Sequence, residues 1–176
     1  MLKKQSGAAL FISLILLLVL TIIGLASMND SVMQGKMSSA IQDSNLALHG
    51  VESAVREAES ALDGMASPEG FGTTSGLYSE TDKPAIYSKT LWTDDAKSIK
   101  AVGDDLKTSL GLNEEPRYII QYVGQVGGTK DRKPGIDNYG HDTGQGEVLG
   151  FRIISRSTGG SGNSLRMVES YYGKRY

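Results

Sequence analysis

Ala8-Ala-Leu-Phe-Ile-Ser-Leu-Ile-Leu-Leu-Leu-Val-Leu-Thr-Ile-Ile-Gly-Leu-Ala26 carries no charge, and only Ser13, Thr21 and Gly24 in it are not apolar. At a rise of about 1.5 Å per residue, this run spans roughly 28 Å as a helix, close to the ~30 Å hydrocarbon core of a bilayer. Ser13 and Thr21 can return their hydroxyl protons to carbonyls one turn back, so they do not spoil the span. Lys3 and Lys4 precede it, and the next charge is Asp30. The positive-inside rule then places the N-terminus in the cytoplasm and everything after residue 28 outside it.

Outward from this block, the rest of the chain looks like an ordinary soluble domain. The whole chain has 176 residues, 39% of them apolar and 22% charged, with a net charge of −2. Such averages argue against a polytopic membrane protein, wholesale disorder and a basic nucleic-acid binder. There are no cysteines, which rules out disulfide scaffolds and cysteine zinc sites, and the two histidines leave little for a His-rich metal centre. Glycine and proline divide the chain: 18 of the 22 glycines lie at or after Gly64, and all four prolines (Pro68, Pro84, Pro116, Pro134) lie there too.

Between the apolar block and Gly64 no proline occurs, and helix formers dominate residues 40–63. At 100° per residue, Met33, Met37, Ala40, Ser44, Leu48, Val51, Val55, Ala58 and Leu62 fall on one stripe. Ala47, Ala54 and Ala61 line one edge of it, with Lys36. Glu59 sits near the other edge, and Leu46 is an exception. Gly64 suits the left-handed residue that ends a helix. The spacing therefore predicts that the apolar helix continues into an amphipathic one, with Asn29-Asp-Ser31 and Gly35 as points where it can kink. Unbroken, residues 8–63 would reach roughly 84 Å.

The leader admits three readings. It is a plain membrane anchor. Or it is a secretory signal peptide, with Gly24 and Ala26 as the small residues before a cut that would leave Ser27 first, although the apolar run exceeds the usual length. Or it is a prepilin-type leader, cut on the cytoplasmic side between Gly7 and Ala8, which leaves the apolar helix on the mature chain. The unbroken passage from span to amphipathic stripe favours the third.

The sequence resembles the PilX family of type IV pilus minor pilins. The resemblance rests on Gln5-Ser-Gly-Ala-Ala-Leu-Phe11, on Ser13-Leu-Ile-Leu-Leu-Leu-Val-Leu-Thr-Ile-Ile-Gly24, and on Asn45-Leu-Ala-Leu-His-Gly-Val-Glu-Ser-Ala54. It extends more loosely to Phe151-Arg-Ile-Ile-Ser-Arg-Ser-Thr-Gly-Gly160 and Tyr171-Tyr-Gly-Lys-Arg-Tyr176. It implies cleavage after Gly7 and N-methylation of Ala8. Major pilins carry Glu at the fifth mature position, and here that position is Ile12. In such filaments the Glu neutralises a neighbour's buried terminal amine, so a subunit without it is best tolerated where no subunit lies above it, at the pilus tip.

The resemblance implies a non-enzymatic α+β protein of pilin-like fold. Its parts are a leader (1–7), a membrane-spanning or filament-core helix (8–28), an amphipathic continuation (29–63), an irregular connection (64–116) and a C-terminal antiparallel sheet (117–176). Leu48, Val51, Val55, Ala58 and Leu62 are expected to pack the helix on the sheet. The implied partners are the membrane, prepilin peptidase, the inner-membrane assembly platform, the major pilin, other minor pilins and a large tip adhesin, with no cofactor, metal or direct nucleic-acid contact. The implied roles are initiation of pili for adhesion, twitching motility or DNA uptake. Before assembly it would cross the inner membrane once; afterwards it would lie in the surface pilus. A type II secretion pseudopilin and a periplasmic binding protein or hydrolase are the alternatives.

In the soluble part, Asp94–Val102 reads as a short helix stopped by Gly103, with Leu91 and Trp92 anchoring the connection to the core. Arg117–Val123, Val148–Arg156 and Leu165–Tyr172 read as strands, the last two joined through Thr158–Asn163 as a hairpin. Between the first two lies Gly127–Glu147, rich in glycine, with Tyr139 and a His141-Asp142 pair. Its Asp131, Asp137, Asp142 and Glu147 are oxygen donors of the kind calcium uses. They fit no EF-hand spacing, however, and Lys130, Arg132 and Lys133 oppose a cation. The length and glycine content of this loop suit contact with a partner.

Overall fold

The computed structural model describes residues 7–101, 103–126 and 148–176. Helix α1 runs Ala8–Gly64. It is followed by β1 (Leu77–Tyr78), α2 (Lys89–Thr93), β2 (Ile99–Lys100), α3 (Gly103–Leu110), β3 (Arg117–Gln125), β4 (Val148–Thr158) and β5 (Leu165–Arg175). The protein is α+β: a long N-terminal helix packed on a mixed, mostly antiparallel sheet. It forms two compact units that divide between Gln42 and Asp43.

The first unit is helix without a core of its own. Residues 7–42 are exposed throughout, because every position from Ala8 to Ala26 except three is apolar and nothing in this unit covers them. Ser13 Oγ donates to the Leu10 carbonyl at 2.8 Å and Thr21 Oγ1 to that of Leu18 at 2.7 Å, so neither hydroxyl is left unpaired. The helix passes through Asn29–Ser31 and Gly35 without a break.

The second unit is built on the sheet, in the order β1-β3-β4-β5, with β2 also on β3. β3, β4 and β5 are antiparallel neighbours, and β4 and β5 pair continuously from Val148↔Arg175 to Thr158↔Leu165. Alternation of side chains gives two buried faces. Tyr118, Ile120, Phe151 and Ile153 point to one face and close a core with Ala54, Ala58 and Leu62 of α1. Ile119 and Ile154 point to the other and are covered by Leu91 and Trp92 of α2.

Two elements differ from the sequence expectation. Residues 94–101 are not a helix. Asp94 takes the Ala96 amide into a local turn at 2.9 Å, and Ile99 and Lys100 then pair antiparallel with Tyr118 and Arg117. A helix begins instead at Gly103, the residue expected to stop one. β1 is a parallel strand on β3, Leu77↔Ile120, too short to leave a sequence signal. Leu91 and Trp92 are buried as expected, but on the face opposite α1.

Candidate functional site

Gly7 and Ala8, the expected leader junction, sit at the start of α1. The Gly7 carbonyl accepts the Phe11 amide at 3.4 Å, Ala8 is the first helical residue, and no acid occurs in the first turn. Ile12 is 57% exposed. Exposed apolar side chains continue from Leu10 through Leu25, and on through Met28, Met33 and Met37 to Ile41. By length and composition this helix is able to cross a membrane. An uncovered apolar surface of this extent needs lipid or other helices around it.

The second unit holds its part of α1 by close approach. Ala47, Gly50, Val51, Ala54, Ala58 and Leu62 are the buried positions. Of the five residues expected to pack on the sheet, Val51, Ala58 and Leu62 are fully buried, Val55 is half-buried, and Leu48 is exposed. The contact line is turned toward Ala47 and Ala54, the small residues at the stripe's edge, because the backbones come too close for a leucine. A Cβ on Gly50 would overlap Ser157 Oγ, and one on Gly159 would lie 2.5 Å from the Asp43 carbonyl oxygen.

Polar contacts fix both ends of this interface. At its start, the Asp43 carboxylate accepts the Ser161 amide at 2.8 Å and the Ser161 hydroxyl at 2.6 Å. These hydrogen bonds, with those from Ser164, bring the Asp43 pKa down to about 2. Arg166 donates to Ser44 Oγ one residue on. At the C-terminus of α1, Lys174 Nζ donates to the carbonyls of Leu62 at 2.6 Å, Asp63 at 3.0 Å and Met65, while Tyr172 donates to Asp63 at 2.6 Å. A cation at the negative end of the helix dipole serves the carbonyls that helical bonding leaves free.

On the opposite face, buried Arg117 ties the connection to the sheet. Its Nε donates to Ser98 Oγ at 2.8 Å, and its terminal nitrogen to the Ser98 carbonyl at 2.8 Å and Asp95 Oδ1 at 2.7 Å. Hydrogen bonds from Arg117 and then Lys100 hold the Asp95 carboxyl below its ordinary range. Trp92 donates its indole N–H to the Ile86 carbonyl at 2.7 Å. Nothing in the sequence singles out Asp43, Arg117 or Lys174. Only the Gly159-Gly160 pair hints at a tight approach, and it suits a turn equally well.

The chemistry of these groups is structural. Each charged side chain in the two networks is hydrogen-bonded to backbone or to a fixed partner, as the Asp43 carboxylate is to Ser161. Among the described residues, no three of His, Asp or Glu are grouped to hold a metal. The acidic loop at 127–147, with His141 and Tyr139, lies outside the described residues.

Two family models match the chain and together span nearly all of it. "PilX N-terminal" covers residues 6–56, and "Type IV pilus assembly protein PilX C-term" covers residues 54–174. No curated protein and no solved structure matches. The chain belongs to the PilX family of type IV pilus assembly proteins.

Proposed function

We propose that the chain is a minor pilin that starts pilus assembly and sits at or near the filament tip. The family is of a structural, non-catalytic kind. The observation that carries this reading is a helix whose apolar run from Ala8 to Ala26 its own chain leaves uncovered, attached to a domain with its own core. Such a helix is held by the inner membrane as a single span, N-terminus in the cytoplasm, and passes into a bundle of like helices on assembly. Prepilin peptidase cuts between Gly7 and Ala8, and Ala8 is N-methylated. Removing Lys3 and Lys4 with the leader takes the chain from −2 to −4, with every charged side chain then on the outer side of the span.

Ile12 supports the tip position. A mature amine in apolar surroundings needs a compensating charge, and Ile12 has none to offer a subunit above. The partners that follow are the other minor pilins, the major pilin, the assembly platform and a large tip adhesin, with adhesion and twitching motility as outputs. Mass spectrometry of the mature protein tests the processing: a methylated Ala8 is expected, and a chain starting at Ser27 would end the pilin reading. Gold labelling of filaments tests the position. Label at one end is expected; label spread evenly along the filament would refute the tip location.

A further inference from the structure

Within the connection from α1 to β3, an open groove of about 530 Å³ lies between one wall at residues 72–78 and another at 84–97. Its size falls in the range of about 300–1,000 Å³ usual for small-molecule sites. Thr74, Ser75, Tyr78, Asp82, Leu91 and Lys97 are among its lining residues. The walls are fixed from several sides. Gln121 of β3, only 9% exposed, reaches out of the sheet and donates from Nε2 to the carbonyls of Asp82 at 2.7 Å and Ser79 at 3.3 Å. Trp92 holds the Ile86 carbonyl on the other wall. Gly76, at φ +73°, turns the first wall, and a Cβ there would lie 2.5 Å from Ile99 Cγ1. The Tyr78 hydroxyl donates to the Lys97 carbonyl at 2.9 Å and ties the two walls together. A ligand entering this groove therefore has little of it left to order.

We propose that this groove binds a neutral carbohydrate. Its lining holds one acid, Asp82, and one base, Lys97. The Lys97 ammonium already pairs with Asp94 at 3.2 Å, and Asp82 repels an anion. One carboxylate is too few for a divalent cation, which takes six or more oxygens. An extended peptide needs a ladder, yet the carbonyls of Thr74 and Leu77 already accept the amides of Leu77 and Gly72. A wholly apolar ligand would strip water from the carboxylate and hydroxyls without replacing its hydrogen bonds. A sugar meets each of these conditions. One oxygen of Asp82 accepts the Ser79 amide at 2.7 Å and the Ser79 hydroxyl at 2.8 Å. The other makes no hydrogen bond among the described residues and is left to accept from sugar hydroxyls. The Thr74 and Ser75 hydroxyls likewise have no hydrogen-bond partner among the described residues. Leu91 and the Tyr78 ring give the sugar's C–H faces an apolar surface.

The site does not depend on where the protein stands in a pilus, so the purified chain tests it. Full-length protein is kept in a zwitterionic detergent, because a sugar-headed detergent would compete for the groove. It is applied to an array of immobilised glycans: neutral hexose, N-acetylhexosamine and deoxyhexose oligosaccharides beside sialylated and sulfated ones. Binding to a subset of the neutral glycans is expected. Binding to none, or only to the charged ones, overturns the proposal. Ser75→Tyr puts a large side chain in the groove from an exposed position, and Asp82→Asn removes the anionic acceptor while keeping its shape. Each is expected to weaken binding of the same glycans at least tenfold at an unchanged melting temperature. Glu52→Tyr, exposed on α1, is the control and is expected to bind as wild type. Neutral-glycan binding that survives both Ser75→Tyr and Asp82→Asn, or that Glu52→Tyr abolishes equally, refutes this groove as the site. Saturation-transfer NMR with the free oligosaccharide that binds best gives a second reading on the same variants. Its signal is expected in wild type and lost in Ser75→Tyr; an equal signal in both contradicts the assignment.

Discussion

Asp43 and Ser161 are 118 residues apart in sequence, yet they set where α1 first meets the sheet. The Asp43 carboxyl is bound in its ionised form, which lowers its pKa from 3.8 to about 2. A carboxylate with a depressed folded-state pKa adds stability that is complete above its unfolded value, near pH 4, and is lost as the pH falls through 2. Asp43→Asn is therefore expected to lower the melting temperature at pH 7 and to flatten its fall between pH 4 and 2. Thermal scans across that window check it, and an unchanged acid profile would mean the carboxylate contributes nothing. Asp82, Asp94, Asp95 and Glu169 are also lowered by hydrogen bonds, so the variant should retain part of the acid sensitivity.

At the scale of the element, α1 ends where Lys174 takes the carbonyls of Leu62 and Asp63 and that of Met65 just beyond it. Lys174→Met keeps the aliphatic stem and removes the donors. It is expected to cost about 1–2 kcal/mol of stability, measured by denaturant unfolding, and to raise hydrogen exchange in the last turn before Gly64. How much of each element is legible depends on the range of the forces that make it. The long helix and three long strands can be read because a 3.6-residue period or a run of β-branched and aromatic residues extends over many positions. β1 and β2 cannot, since two residues carry no period and the pairing of Leu77 or Ile99 is decided by β3. Leu48 falls off the contact line for a related reason. Periodicity locates a helix face to within a residue's angle, but the choice between Leu48 and Ala47 is made by Gly50 lying against Ser157. The proposed cut between Gly7 and Ala8 is argued from the leader alone, whereas the Asp43, Arg117 and Lys174 networks join residues too distant for any local signal.

Taken as a whole molecule, the protein has two compact units with opposite solvent preferences. The unit from Asp43 to Tyr176 has its own core; the helix before it is exposed throughout and apolar from Ala8 to Ala26. Removing detergent or lipid from the full-length protein is therefore expected to cause association at once while leaving the sheet folded. Light scattering follows the first and near-ultraviolet circular dichroism at Trp92 the second; loss of the Trp92 signal on detergent removal would mean the second unit depends on the first. The seating of α1 in its own sheet also has a mechanical meaning. A pull along α1 from its N-terminal side enters the second unit at Asp43, where Ser161 and Arg166 hold the helix to the β4–β5 hairpin. From there it runs past the interlocked Gly50 and Ser157 to the Lys174 grip at the far end. Those attachments lie along the line of pull, so they share the load in shear and do not peel one after another. A domain loaded through one long helix calls for that mode of resistance.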